Sequence, residues 1–148
     1  MGARIAVTVD GTPACAGALQ HAVALARSDG SGLTAVFLLD AGWADFIGND
    51  WQSSRNARQG FLDYVMQEQQ RYAEAARVQF AAAALGLPDT SFALLVGDPA
   101  DELVRMMSAG AADVLFTGEN VFREFGRPSS RALVRTLVEK VRQPVYVV

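Results

Sequence analysis

Asp10, Gly118, Gly126, Ser129 and Ser130 have the chemistry to handle a phosphorylated ligand; the first follows one apolar strand-like run, and the others lie in a stretch between a second such run and a helix-like one. Asp10 ends "RIAVTVD", where a carboxylate can accept from a ribose hydroxyl or hold a metal-bound water. It can equally cap the "DGTP" turn, a position that favours Asp. The stretch "TGENVFREFGRPSSR", Thr117 to Arg131, carries the glycines and hydroxyls of a phosphate loop, yet also Glu119 and Glu124. Arg123, Arg127, Arg131, Arg135, Lys140 and Arg142 crowd the last quarter of the chain. Cations beside a helix N-terminus would attract phosphate, although charges on a helix are also ordinary solvated surface.

Other chemistries lack parts. "DGTPACAG" has no G-x-G-x-x-G spacing, and no G-x-x-x-x-G-K-[ST] loop exists. A phospho-acceptor layout would need clustered acids after the first strand and a lysine after the last. His21 sits within a helical pattern, so no Ser-His-Asp or Cys-His set can meet at one rim. One cysteine and one histidine exclude an internal disulfide and a structural zinc site. Cys15, among alanines, reads as a buried small hydrophobe, with a reactive thiol as the alternative. The sequence thus predicts no enzyme, no catalytic residue and no metal site.

These residues need a frame, and 148 of them suffice for one domain, residues 1–148, with a single core. Hydrophobic residues are 51% and charged ones 20%, which places the chain among globular proteins. A net charge of −3 argues against nucleic-acid binding. The absence of a membrane-length apolar run or a signal-peptide pattern leads to an expectation of a cytoplasmic protein.

Short β-branched runs alternate with helical ones. Strands are expected at "RIAVTV", "LTAVFLLD", "SFALLV", "DVLFT" and "PVYVV". Thr12 and Pro13 should open the first helix, whose inner face is Ala18, Leu19, Ala22, Val23 and Ala26. A long helix from about Phe61 to Leu85 turns Phe61, Val65, Tyr72, Ala76, Phe80 and Ala83 inward. Asp98 and Pro99 cap a third helix, and Ser129 or Ser130 starts a fourth. Nearly continuous apolar strands separated by helices predict an α/β fold, an open parallel sheet with helices on both faces. Between Ala41 and Gly60 no element is expected. Trp43, Phe46, Ile47 and Trp51 there could form a flap over the strand ends, an interface pad, or short helices on the core.

In this order the features resemble the universal stress protein family. The resemblance runs through "VDGT", "VGDPADELVRMMSAGAADVLFTG" and "PVYVV". It implies a sheet order of 3-2-1-4-5, stress-linked regulation, and dimerisation through the last strand, here Val145, Tyr146, Val147 and Val148. ATP-binding members carry G-x-x-G-x9-G-[ST] after the fourth strand. Gly118 matches the first glycine, Val121 stands at the second, and Arg131 and Ala132 stand at the final pair. Asp10 matches the family's aspartate, and Leu38 falls where the family presents backbone to adenine. Gly126, Ser129 and Ser130, with Arg127 and Arg131 for charge, would be a shifted substitute for the missing glycines. The reading is a non-enzymatic regulatory module, homodimeric, with a degraded ATP loop and no required cofactor. A regulatory protein is its expected partner, with no nucleic acid and no membrane insertion. The alternative is an ATP or AMP sensor with a remodelled loop.

Overall fold

The computed structural model describes residues 3–43, 55–122 and 133–148. It forms a five-stranded parallel sheet of order β3-β2-β1-β4-β5, as expected. The strands are β1 (Arg4–Thr8), β2 (Gly32–Asp40), β3 (Thr90–Gly97), β4 (Val114–Thr117) and β5 (Val145–Val147). The helices are α1 (Ala16–Asp29), α2 (Arg55–Ala83), α3 (Pro99–Ser108) and α4 (Leu133–Lys140). α1 packs with α2 and α3 packs with α4, so each face of the sheet carries a pair. β1 and β2 are almost wholly buried, which is why their sequences lack alternation.

Local chemistry sets the boundaries. The Thr12 hydroxyl accepts from the Ala14 N–H at 3.2 Å, but it caps a 3-10 turn, Pro13–Cys15, before α1 begins at Ala16. The Asp98 carboxylate accepts from the Asp101 N–H at 3.1 Å and caps α3, with Pro99 in its first turn. α2 is longer than its apolar stripe suggests and already runs at Arg55, six residues before Phe61. This stretch adds little apolar surface, so hydrophobic spacing cannot reveal it. Gln59 Nε2 donates to Asp63 Oδ1 at 2.9 Å, bonding successive turns there. Trp43 meets the Phe61 ring edge-on at 6.1 Å, so this tryptophan packs on α2. Phe46, Ile47 and Trp51 lie outside the described residues, as does the expected start of α4 at Ser129 or Ser130.

The order reverses between β1 and β4, so their C-terminal ends make the crevice where ligands of open α/β sheets bind. Thr8 and Thr117 join the two strands there through their hydroxyls, 2.9 Å apart and fully buried.

Candidate ligand crevice at the ends of β1 and β4

Asp10 stands at the centre of this crevice, and its side chain is fully committed. Oδ1 accepts from the Thr12 N–H at 2.9 Å and from the Thr12 hydroxyl at 2.8 Å. Oδ2 accepts from the Phe122 N–H at 3.0 Å. Of the two roles raised by the sequence the described residues show the turn, and the carboxylate adds one the sequence did not raise: it holds a distant segment. Asp10 is 0% exposed.

The held segment is the loop leaving β4. Gly118 approaches the turn after β1 so closely that a Cβ there would run into the Ala14 carbonyl oxygen. Its lack of a side chain is therefore a packing requirement, whatever the loop binds. The Val121 N–H donates to the Gly118 carbonyl at 3.3 Å, and the Val121 side chain is buried. Phe122 then takes a φ of 66°, sparsely populated for a bulky residue. The hydrogen bond to Asp10 and the burial of the ring offset that strain. The ring is 1% exposed and meets Phe37 of β2 edge-on at 5.8 Å.

The other wall is α2. Gly11, at φ 78°, lies against the Tyr72 carbonyl and Ala75, where a Cβ would sit 2.6 Å from the Tyr72 oxygen. Gln79 Nε2 donates to the Thr12 carbonyl at 3.1 Å, and Gln79 Oε1 accepts from the Cys15 thiol at 3.0 Å. Gln69, 0% exposed, holds both sides of one residue's backbone. Its Oε1 accepts from the Asp40 N–H at 2.6 Å, while its Nε2 donates to the Asp40 carbonyl at 3.0 Å. A primary amide so placed fills the donor–acceptor pair that the end of β2 would otherwise offer to a ligand. Leu38, two residues earlier, is fully buried in β2 opposite Leu95 of β3.

Cys15 behaves as the buried hydrophobe. Burial pushes its thiol up to about 11, with the Asp10 charge adding to the shift, so it stays protonated at neutral pH. His21 is exposed on α1. Among the described residues, no group of three or more His, Cys, Asp or Glu side chains could hold a metal ion. Gly126, Arg127, Ser129 and Ser130 lie outside the described residues, as do Arg123, Arg131 and Ala132. Lys140 and Arg142 do not join the crevice: they stand at the C-terminal end of α4 and in the link to β5, not at a helix N-terminus.

The universal stress protein family profile matches residues 1–148. The chain belongs to this family. No individual curated protein matches it. Among solved structures, the universal stress protein UspA of Lactobacillus plantarum is 19% identical, with a TM-score of 0.65 over 99% of this chain and 97% of that one. An Archaeoglobus fulgidus universal stress protein in complex with dAMP is 19% identical, with a TM-score of 0.63 over 98% of this chain and 96% of that one. A family protein of Arabidopsis thaliana with AMP bound is 15% identical, with a TM-score of 0.63 over 99% of this chain and 90% of that one. At these identities the likeness carries the shared fold. Within the universal stress protein frame, Gln69 and Phe122 are the residues that sequence reasoning missed. Gln69 left a trace, because it fills the gap between Val65 and Tyr72 in the inward stripe of α2.

Proposed function

We propose that this universal stress protein is a non-enzymatic, homodimeric regulatory module whose nucleotide crevice is closed by its own residues. The engagement of the buried Asp10 carboxylate by Thr12 and Phe122 carries this reading. A ribose hydroxyl could reach Asp10 only by displacing the Phe122 N–H and lifting a buried ring off Phe37. Val121 in place of the second loop glycine, and Glu119 beside Gly118, oppose a triphosphate further. Among the described residues, the protonated Cys15 and the exposed His21 leave no activated nucleophile or base at the rim, which favours a binding role over an enzymatic one.

Dimerisation is proposed at β5, an edge of the sheet. Tyr146, Val147 and Val148 are exposed, and Val145 is half-buried. Two such segments pairing about a two-fold axis would satisfy both open edges. The Phe116 ring stacked on Tyr146 at 5.0 Å would widen the contact.

The second reading is a nucleotide sensor, and the relatives described with dAMP and AMP favour it. In that case the loop at Phe122 must open, with Gly126, Arg127, Ser129 and Ser130 taking the phosphates. Native mass spectrometry of the purified protein with added ATP and AMP separates the two. A dimer carrying no nucleotide at concentrations near about 10 μM is expected. A retained nucleotide would overturn the closed-crevice reading, and a monomer would overturn the interface. The triple substitution Val121→Gly, Arg131→Gly and Ala132→Ser should bring nucleotide binding back.

A further inference from the structure

Lys140 and Arg142 belong to a different place. Where α3 and α4 end, beneath the starts of β4 and β5, the described residues line a cavity of about 420 Å³ with Met107, Ser108, Lys140, Arg142 and Gln143. That volume falls in the range of small-molecule sites. Among the described residues, neither cation forms an ion pair. The acid before β4 is otherwise disposed: Asp113 accepts from the Arg4 N–H at 2.8 Å. Glu139 precedes Lys140 on α4 but does not line the cavity.

Two helix C-termini would ordinarily make this a poor place for an anion, each carrying about half a negative charge on open carbonyls. Here those carbonyls are largely covered. The end of α3 closes on itself through Gly110 N–H to the Met107 carbonyl at 3.0 Å and Ala111 N–H to the Met106 carbonyl at 3.3 Å. Gln143 Nε2 adds bonds to the Met107 and Ala112 carbonyls, at 2.6 and 3.2 Å. The Val141 N–H covers the Leu137 carbonyl of α4 at 2.9 Å. Lys140 and Arg142 are therefore not consumed in capping these ends. Because both partners of Gln143 Nε2 are acceptors, the orientation of its amide is fixed. Among the described residues its Oε1 has no donor, and it is not sealed from solvent.

We propose that this cavity is a second ligand site, taking a small hydroxyl-bearing phosphomonoester. Lys140 and Arg142 bind the phosphate, Arg142 with its two-pronged guanidinium and Lys140 as a point charge. Ser108 donates its hydroxyl, and the fixed Gln143 Oε1 accepts from the ligand hydroxyl. The site is independent of the crevice at Asp10, since it lies at the opposite ends of the strands.

Glycerol 3-phosphate is the probe, followed by two-dimensional amide NMR, with inorganic phosphate and glycerol as controls. Saturable shifts are expected at Ser108, Gly110, Lys140, Arg142 and the Gln143 side chain, with a dissociation constant of about 1 mM or tighter. Phosphate alone should bind more weakly, and glycerol should not bind. The double variant Lys140→Gln and Arg142→Gln, with an unchanged unfolding midpoint, should lose binding by at least about tenfold. Non-saturating shifts, or shifts that persist in the double variant, would overturn the site. Equal binding of phosphate and ester would overturn the assignment of a hydroxyl-bearing ligand.

Discussion

The two ends of this sheet handle polar groups in opposite ways. At the C-terminal ends of β1 and β2, Asp10 and Gln69 are wholly buried, and their polar atoms are met by donors and acceptors from the same chain. Beneath the starts of β4 and β5, Lys140 and Arg142 are exposed, and the backbone around them is capped without their help. Buried, satisfied polar networks fix a structure because any unmet member is costly. Exposed, uncommitted charges do little for stability and remain available to a ligand. Asp10, at the strand ends where open α/β sheets take their ligands, serves the framework, while the uncommitted charge stands at the opposite end.

Substitutions at the closed end should therefore weaken folding. Phe122→Ala removes a ring that is 1% exposed and leaves a cavity against Phe37. It should cost about 3 to 5 kcal/mol in urea unfolding. A cost near that of a surface substitution would show that Phe122 is not a structural plug. Gln69→Leu leaves the Asp40 N–H and carbonyl without their side-chain partners. The expected loss is about 2 to 4 kcal/mol, and faster hydrogen exchange at Asp40 would place the damage there. Cys15 provides the smallest effect. Its thiol is held up to about 11 in the fold against about 9 for a free thiol, so between those pH values the unfolded chain loses the proton first. Stability from this group is intact below about pH 9 and falls by about 2 kcal/mol as pH rises toward 11. Comparing wild type with Cys15→Ala isolates that slope, and identical slopes would remove it.

What the sequence displayed was the side of each element that meets the core. "LTAVFLLD" reads as a doubly covered strand because eight adjoining residues are almost all apolar. β5 was recognisable although only Val145–Val147 pair as strand. The polar start of α2 was hidden for the converse reason, having no face to declare. Asp10 could be found from its position after β1, but its partner could not. Phe122 lies 112 residues away, and nothing in "NVFRE" announces a positive φ. The arginine-rich last quarter showed its charge but not its direction. α4 carries Lys140 to the far end of the sheet, and only the fold separates it from the loop after β4.

Val148 carries one more consequence. Its N–H donates to the Thr117 carbonyl at 3.0 Å, and its own carbonyl accepts from the Glu119 N–H at 3.0 Å. A Cβ on Gly17 would lie 2.9 Å from Val148 Cγ1, so this residue is wedged between α1 and the loop that carries Phe122. The outer strand and the crevice loop thus share a hinge pin. If two copies pair along β5, the pairing grips Val148 and, through Glu119, the loop. Whatever free energy pairing then adds to keep the loop shut, opening the loop must take back from pairing. The assembled and separated forms would differ in how readily Phe122 lets go, and a subunit exchanging partners would have a moment in which Asp10 can be reached.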